Sequence, residues 1–282
     1  MAHFEEENKQ ISTRVLLQYE PWFVVVWGRG PNHEPLHVYP QRSNGPNTDV
    51  VASRDTDLDP LHVRWKIWAG AQTGPIELVA KRPNGIIEAT MTLNVTAIQD
   101  PKRRFVLKLV REGGETARLW GLPVSLMLAQ ACHECGYGGR ATASNILFGI
   151  GSPEDFDKRT HAPIVRRNWF YCPTVASERT NIAKSTEQKK YVTDFFCAAK
   201  TYEEAVHIWA SYVVGHPKHD QDGSLKSKFT VGRKWSEGEL RQLANLMHTR
   251  LGFGADHDYG SKLMMIWKEL NLAQYDRFFW YI

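Results

Sequence analysis

The sequence predicts an α+β protein of two domains, an all-β domain over residues 1–101 and a mainly α-helical domain over residues 102–282. In the first part, apolar and polar residues alternate with a period of two, which is typical of half-buried strands. After Asp100-Pro101 the apolar residues recur with a helical period instead. A chain of 282 residues is long for one domain and comfortable for two.

Strands dominate the first domain. Residues 15–28 are rich in β-branched and aromatic side chains, residues 61–70 alternate, and Asn84-Gly85 stands between two further alternating runs. Asn-Gly between such runs is a strong β-hairpin signal. Since no helical period of useful length precedes Pro101, we expect about 90 residues in a small immunoglobulin-like sandwich.

Four tryptophans of this domain have two interpretations. Aromatic faces stack on sugar rings, so a targeting or carbohydrate-binding module is one function for the domain. Core filling is the alternative, and the domain is then a docking handle or a spacer. A period of two places at least half of the four side chains inside, which favours the second interpretation. The four are Trp22, Trp27, Trp65 and Trp68.

Residues 122–150 contain the strongest candidate for chemistry. Pro123 fits the first turn of a helix, and the apolar period continues to about Cys135, where a glycine-rich stretch begins at Gly136. Glu134 therefore falls on the last turn, where the helix dipole and apolar neighbours raise the pKa of its carboxyl group. A carboxyl group that is protonated near neutral pH can act as a general acid. A solvated glutamate at a helix end is the alternative.

The same residues form a recognisable pattern. An apolar helix is followed by Ala129-Gln130, Glu134, Gly136-Tyr137-Gly138 and then Asn145, Leu147, Phe148, Gly149 and Ile150. This pattern resembles the glucosaminidase family of bacterial cell-wall hydrolases (glycoside hydrolase family 73, of the flagellar rod-cap hydrolase and autolysin type) in the lysozyme-like superfamily. Two more segments fit in family order, residues 201–213 and residues 257–276.

The resemblance implies a lysozyme-like domain with a small β-hairpin lobe that faces the catalytic helix. The lobe corresponds to residues 150–191 and carries a second acidic residue in the family. Glu178 is the favoured candidate because the strand-like run WFYCPTVASE leads into it. Glu187, Asp155 and Asp157 are the alternatives, and each of these acids could instead be a solvated loop carboxylate.

The resemblance also implies roles for other side chains. Tyr259 fits the second tyrosine of a C-terminal family motif and is expected in the catalytic site, whereas Phe253 stands where the family usually has the first tyrosine. Core packing is the alternative for Phe148. The residues expected to bind substrate and shape the cleft are Gln130, Tyr137, Asn145 and Phe148.

Cysteine spacing gives little support for a metal site. Cys132-x-x-Cys135 has no second pair at zinc-ligand spacing, because Cys172 and Cys197 are 25 residues apart. Position 137 is a tyrosine, so His133-Glu134 lacks the second histidine of an H-E-x-x-H motif. We predict no metal and no cofactor. Cys132 and Cys135 are expected as small buried thiols, with a disulfide between them as the alternative.

Composition excludes several classes of protein. The hydrophobic share of 42%, the charged share of 23% and the net charge of +4 do not indicate a nucleic-acid partner. No apolar run is long enough to span a bilayer, and MAHFEEENKQ lacks the basic start and apolar region of a signal peptide. We therefore expect synthesis in the cytoplasm without a signal peptide, and delivery to the periplasm or cell wall by another route.

Together these observations predict a peptidoglycan hydrolase, an endo-β-N-acetylglucosaminidase that cleaves the β-1,4 bond between N-acetylglucosamine and N-acetylmuramic acid. Glu134 is the expected general acid. Either a distant carboxylate activates water, with inversion, or the acetamido group of the substrate attacks. A muramidase, a lytic transglycosylase, a phage lysin and a non-catalytic glycan-binding protein are the alternatives.

The predicted route of delivery is that of an antibacterial toxin. A lytic domain, an extra β domain and no signal peptide suit an effector that a secretion apparatus carries through the N-terminal domain. Such an effector would have an immunity protein that covers the cleft. The expected substrate partner is the glycan strand of peptidoglycan.

Overall fold

The structure is a computed structural model, and it describes most of the chain. The chain divides into two compact units between Arg111 and Glu112. The sequence places the domain boundary ten residues earlier, at residue 101. The described residues are 2–7, 9–28, 36–42, 45–46, 49–59, 62–139, 145–151, 154–156, 163–166, 169–184, 188–216, 228–254 and 257–280.

The described residues of the first unit form ten strands in two five-stranded sheets. The first sheet has the order β2-β1-β4-β8-β7 and the second has the order β3-β10-β9-β5-β6. The strands are β1 (His3–Glu6), β2 (Lys9–Ile11), β3 (Thr13–Leu17), β4 (Pro21–Trp27), β5 (His37–Arg42), β6 (Gly45–Pro46), β7 (Val51–Asp59), β8 (His62–Trp68), β9 (Gly74–Lys81) and β10 (Ile87–Thr96).

Alternation along the strands builds one hydrophobic core from both sheets. In β4, for example, Trp22, Val24 and Val26 are buried while the residues between them are only half-buried. Trp65 of β8 is buried in the same core. Trp27 and Trp68 lie at the opposite phase of the alternation and are half-buried. Two of the four tryptophans are therefore core residues, as the period of two predicts.

The predicted hairpin at Asn84-Gly85 is present between β9 and β10. Gly85 has a φ of +85°, a conformation that favours glycine, and its N–H donates to the carbonyl of Arg82. The N–H of Arg82 donates to Ile86 across the turn at 2.9 Å. The two strands then pair in antiparallel register along most of their length.

Helices and two small sheets follow, so the chain has the predicted α+β class. Helix α1 crosses from the first unit into the second and continues without a break through Gly113-Gly114. A Cβ at Gly114 would overlap the Phe279 ring, so this glycine serves close packing. The elements are α1 (Pro101–Leu119), α2 (Val124–Cys135), β11 (Glu154–Phe156), β12 (Pro163–Arg166), β13 (Thr174–Lys184), β14 (Gln188–Ala198), α3 (Tyr202–Gly215), α4 (Glu237–Thr249), α5 (Tyr259–Glu269) and α6 (Ala273–Trp280).

The cysteines pair in a way that the sequence did not indicate. A disulfide joins Cys172, just before β13, to Cys197 in β14. Cys132 and Cys135 are buried, and no disulfide joins them. The Cys135 thiol donates to the carbonyl of Ala131 one turn earlier and accepts from the N–H of Gly138.

The described residues contain neither a membrane-spanning helix nor a cluster of metal ligands. None of the helices in these ranges combines the length and hydropathy that crossing a membrane requires. Within the same ranges, His, Cys, Asp and Glu side chains form no group of three or more that could hold a metal ion.

An aspartate from α6 caps the N-terminus of α2. Asp276 is 3% exposed and accepts hydrogen bonds from the Ser125 N–H at 2.8 Å and from the Ser125 hydroxyl at 2.5 Å. The residue before the helix, Pro123, has no side-chain donor or acceptor for this purpose. Burial raises the pKa of Asp276 to about 6, while the hydrogen bonds from Ser125 and the N–H of Val124 oppose the rise.

We predict that Asp276 makes the free energy of unfolding depend on pH. The pKa of Asp276 is raised in the folded protein from 3.8 to about 6, so the folded state binds the proton more tightly. Its contribution is complete below about pH 4 and is lost as the pH rises through about 6. The loss should be on the order of 1–3 kcal/mol, measured by chemical denaturation from pH 4 to pH 7.

The variant Asp276→Asn should remove this part of the pH dependence, because an amide does not titrate. Asp258→Asn is the matched control, since Asp258 is exposed and its side chain makes no capping hydrogen bond to the described residues. An identical slope in wild type and Asp276→Asn would contradict the assignment.

Candidate active site

Glu134 lies on the last turn of α2, where the sequence placed it. The helix ends at Cys135, and Gly136 follows in the left-handed conformation with a φ of +58°. The N–H of Gly136 donates to the carbonyl of Cys132, which closes the last turn. The Glu134 side chain is half-buried. A carboxyl group here faces the negative end of the helix dipole, which opposes its ionisation.

Tyr259 binds Glu134 from another helix. It is the first residue of α5, it is fully buried, and its hydroxyl donates to Glu134 Oε1 at 2.6 Å. Burial raises the pKa of Tyr259 far above the ordinary value of a tyrosine, and the negative charge of Glu134 and the hydrogen bond raise it further. The hydroxyl therefore stays protonated and remains a donor. The structure thus brings together two of the three residues that the resemblance implies for catalysis.

The surroundings of the Tyr259 ring fix its position. His133 contacts the ring edge-on at a centroid distance of 5.3 Å, and His248 stacks on it at 6.2 Å. A Cβ at Gly254 would overlap the ring, so only glycine lets the chain pass so close. Phe253 is buried and packs edge-on against Tyr212 at 5.2 Å, so this position contributes to the core.

The loop from Asn145 to Gly151 lies against Glu134 through Gly149. Gly149 has a φ of +59°, and a Cβ at this position would lie 3.7 Å from Glu134 Oε2. Asn145 also has a positive φ, and its amide nitrogen donates to the carbonyls of Ala199 and Lys200 at 3.1 and 3.0 Å. Asn145 therefore fixes this loop to the start of α3.

Gln130 and Phe148 lie behind the site and not in it. Gln130 has no exposed surface, and its Oε1 accepts a hydrogen bond from Trp209 Nε1 at 2.7 Å. Phe148 is 3% exposed and stacks on Trp209 at 5.4 Å. The expected contact of these two side chains with substrate does not fit their burial. Nothing in the sequence indicated the hydrogen bond between Trp209 and Gln130.

Tyr137 directly follows the glycine that ends α2. It is half-buried and has a φ of +58°. Burial raises the pKa of Tyr137, and electrostatic interactions with Cys132 and Glu269 raise it further. Among the four residues that were expected to bind substrate, Tyr137 and Asn145 keep accessible surface.

The second acid remains a prediction. The backbone places Glu178 in β13, directly opposite Asp194 of β14, and Asp155 lies in β11. Glu187 and Asp157 fall outside the described residues. The hairpin of β13 and β14 is 11 residues long in each strand, and the disulfide between Cys172 and Cys197 closes its base.

We predict that Tyr259→Phe raises the pKa of Glu134. A donor that binds the ionised carboxylate stabilises it, so removal of the hydroxyl favours the protonated form. The change should appear in a ¹³C carboxyl titration, with Glu134→Gln used to assign the resonance.

Tyr212→Phe is the matched control for this titration. It removes a tyrosine hydroxyl that donates at 2.8 Å to the carbonyl of Leu251. It should leave the Glu134 titration unchanged. An unchanged titration in Tyr259→Phe as well would show that the hydroxyl does not control the carboxyl group.

Comparisons with known proteins give distant similarities. No family model matches the sequence, and no curated protein matches it. The catalytic domain of the autolysin Auto from Listeria monocytogenes is similar over 64% of this chain and 90% of that one, with 17% identity and a TM-score of 0.46.

Two further solved structures are similar to a smaller part of the chain. The sialic acid binding region of a Streptococcus sanguinis adhesin matches over 34% of this chain and 30% of that one, with 11% identity and a TM-score of 0.23. Tandem immunoglobulin domains of titin match over 34% of this chain and 50% of that one, with 7% identity and a TM-score of 0.23. All three TM-scores are below 0.5, so none of these similarities is used to argue a function.

Proposed function

We propose that the chain is a peptidoglycan hydrolase, an endo-β-N-acetylglucosaminidase of the glycoside hydrolase family 73 type, with Glu134 as its general acid. The supporting observation is a half-buried carboxyl group at a helix end, one oxygen of which accepts a hydrogen bond from the buried hydroxyl of Tyr259. The sequence pattern around Glu134 supplies the substrate class. The bond to be cut is the β-1,4 link from N-acetylglucosamine to N-acetylmuramic acid.

The hydrogen bond from Tyr259 decides which carboxyl oxygen carries the transferable proton. Oε1 accepts from the hydroxyl, so in the acid form the proton belongs on Oε2. Oε2 is the oxygen beside Gly149, where the missing side chain leaves room. Transfer of this proton to the leaving oxygen accompanies cleavage of the glycosidic bond, and water finally returns a proton to the enzyme.

Opposing effects act on the proton affinity of Glu134. Partial burial and the C-terminal end of α2 favour the protonated form. Donation by Tyr259 favours the ionised form. A general acid must give up its proton and regain it in each cycle, and opposing effects of this kind suit that task.

For the second acid we propose Glu178, acting as the base that activates water. Glu178 lies in a strand that is separate from α2, and separate positions for acid and base suit an inverting mechanism. Attack by the substrate's own acetamido group is the alternative, and Glu178 would then orient or stabilise that group.

We extend the proposal to the domains and to delivery. Residues 102–282 form the lysozyme-like catalytic domain, and residues 1–101 form an immunoglobulin-like targeting or docking domain. Of the four tryptophans, Trp27, which stacks on His3 at 4.9 Å, and Trp68 are half-buried, and we assign contact with a partner to these two. An antibacterial effector, docked on a secretion apparatus and blocked by an immunity protein, is the delivery hypothesis that accompanies this arrangement.

We predict that Glu134→Gln folds normally and releases muropeptides from purified sacculi at least about 100-fold more slowly than wild type. The amide keeps the shape and the hydrogen bond from Tyr259 but has no acidic proton. Glu203→Gln, an exposed residue in the first turn of α3, is the control and should keep wild-type turnover.

Mass spectrometry of the reducing ends identifies the bond that is cut. N-acetylglucosamine at the reducing end supports the proposal. N-acetylmuramic acid or its anhydro form would instead identify a muramidase or a lytic transglycosylase. Wall binding without released muropeptides would identify a glycan-binding protein.

We predict that Glu178→Gln lowers turnover by about 100-fold or more and that added azide restores part of it. Azide can replace the water that the lost base no longer activates, and an inverted glycosyl azide is then formed. Asp194→Asn, the cross-strand neighbour, is the matched control and should stay within a few-fold of wild type. Full activity in Glu178→Gln would remove this residue from the mechanism.

A further inference from the structure

A line of buried polar side chains leads to Tyr259 from behind. Trp209 of α3 and Gln130 of α2 have no exposed surface, and the Trp209 N–H donates to Gln130 Oε1 at 2.7 Å. Gln130 Nε2 is also buried and has no hydrogen-bond partner among the described residues. Gln130 precedes Glu134 by four residues, so the two lie on the same face of α2. Buried amide nitrogens are normally paired, so this one calls for an explanation.

Donor and acceptor identities fix the orientation of the Gln130 amide. An indole N–H can only donate, so its partner must be the amide oxygen, and the NH2 group points away from Trp209. Burial and Glu134 raise the pKa of Tyr259, whereas the Gln130 amide lowers it, as expected of a donor directed at the hydroxyl. Gln130 Nε2 forms no hydrogen bond with the Tyr259 hydroxyl, so the amide acts on the hydroxyl through its dipole.

The amide orientation decides where the single proton of Tyr259 goes. With an N–H group on the Gln130 side, the hydroxyl proton is directed to Glu134 Oε1, the contact observed at 2.6 Å. With the amide reversed, Gln130 Oε1 would compete for that proton. The acid form of Glu134 could then place its own proton on Oε1, toward Tyr259, and Oε2 would have none to give.

We propose that Trp209 and Gln130 are positioning residues for Glu134. The indole N–H of Trp209 orients the amide of Gln130, the amide orients the hydroxyl of Tyr259, and the hydroxyl keeps the transferable proton of Glu134 on Oε2. The inference rests on the proposed function for its catalytic consequence. The orientation of the hydroxyl itself does not depend on that function.

Trp209→Phe tests the first step, because it keeps an aromatic ring against Phe148 and removes the N–H donor together with one ring of the indole. It should lower kcat on sacculi by about tenfold with little change in KM, which is the effect of losing one good hydrogen bond. Trp267→Phe is the matched control. It removes an indole N–H that is likewise buried and has no partner within the described ranges, and it should leave kcat unchanged.

A double-mutant cycle separates positioning from general packing. If Trp209 acts through Tyr259, then Trp209→Phe should have no further effect in a Tyr259→Phe background, within about twofold. Gln130→Met should behave like Trp209→Phe in both backgrounds. Independent, multiplicative effects of the two substitutions would overturn the inference.

A carboxyl titration tests the orientation without any assay of activity. Trp209→Phe and Gln130→Met should raise the pKa of Glu134, in the same direction as Tyr259→Phe, because each weakens donation to Oε1. Thermal unfolding and near-ultraviolet circular dichroism verify the fold of each variant. Should Trp209→Phe fail to fold, Gln130→Met carries the same test.

The outcomes distinguish the two proposals. A titration that is unchanged in both folded variants overturns the positioning role, whatever the turnover of Glu134→Gln. Loss of the proposed function would instead appear as wild-type protein that releases no muropeptides, or as full turnover in Glu134→Gln. A shifted titration together with loss of the function would leave the orientation confirmed and its catalytic use refuted.

Discussion

The hydrogen bond from the buried hydroxyl of Tyr259 to Glu134 Oε1 is the contact on which the site depends. It joins the start of α5 to the end of α2, and its partners are 125 residues apart in the sequence. Burial raises the pKa of Tyr259 so strongly that the hydroxyl remains a donor. The carboxyl group accepts this bond at one oxygen, and its other oxygen lies beside Gly149, where a Cβ would be 3.7 Å away.

The hydrogen bond needs a helix that holds Glu134 in place, and α2 is fixed at both ends. At its start, Asp276 supplies the cap that Pro123 cannot supply. At its end, Gly136 adopts the left-handed conformation that stops the helix. Ten of its twelve residues are buried, so α2 is surrounded by other elements on nearly every side. A carboxyl group at the end of such a helix has little freedom to leave its partner.

Buried polar groups around the site are arranged in an ordered way. Trp209 donates to Gln130, and Tyr259 donates to Glu134, so donors and acceptors run in one direction toward the carboxyl group. An unpaired member of a buried polar network lowers the stability of the folded protein. A network in which all members are paired favours a single arrangement of the core. Among these described side chains, Gln130 Nε2 is the buried atom that has no hydrogen-bond partner.

The sequence by itself determined the local features. A period of two placed at least half of the four tryptophans in the core, Asn84-Gly85 set a hairpin, and the glycines after Cys135 ended α2 with Glu134 on its last turn. Each of these features depends on a few residues that are neighbours in the sequence, so one sequence is enough to predict it. The resemblance added Tyr259 as a member of the site.

Only the tertiary structure decided which distant side chains meet. The cap by Asp276, the disulfide between Cys172 and Cys197 and the bond from Trp209 to Gln130 join residues between 25 and 151 positions apart. Local patterns contain no information about such pairs. Helix α2 is also apolar on nearly every face, so its periodicity could not show that Gln130 points into the core. Packing decides which partner a buried polar group has and which way the group points. The reason is that a buried polar group must form a hydrogen bond with a group that the fold places beside it.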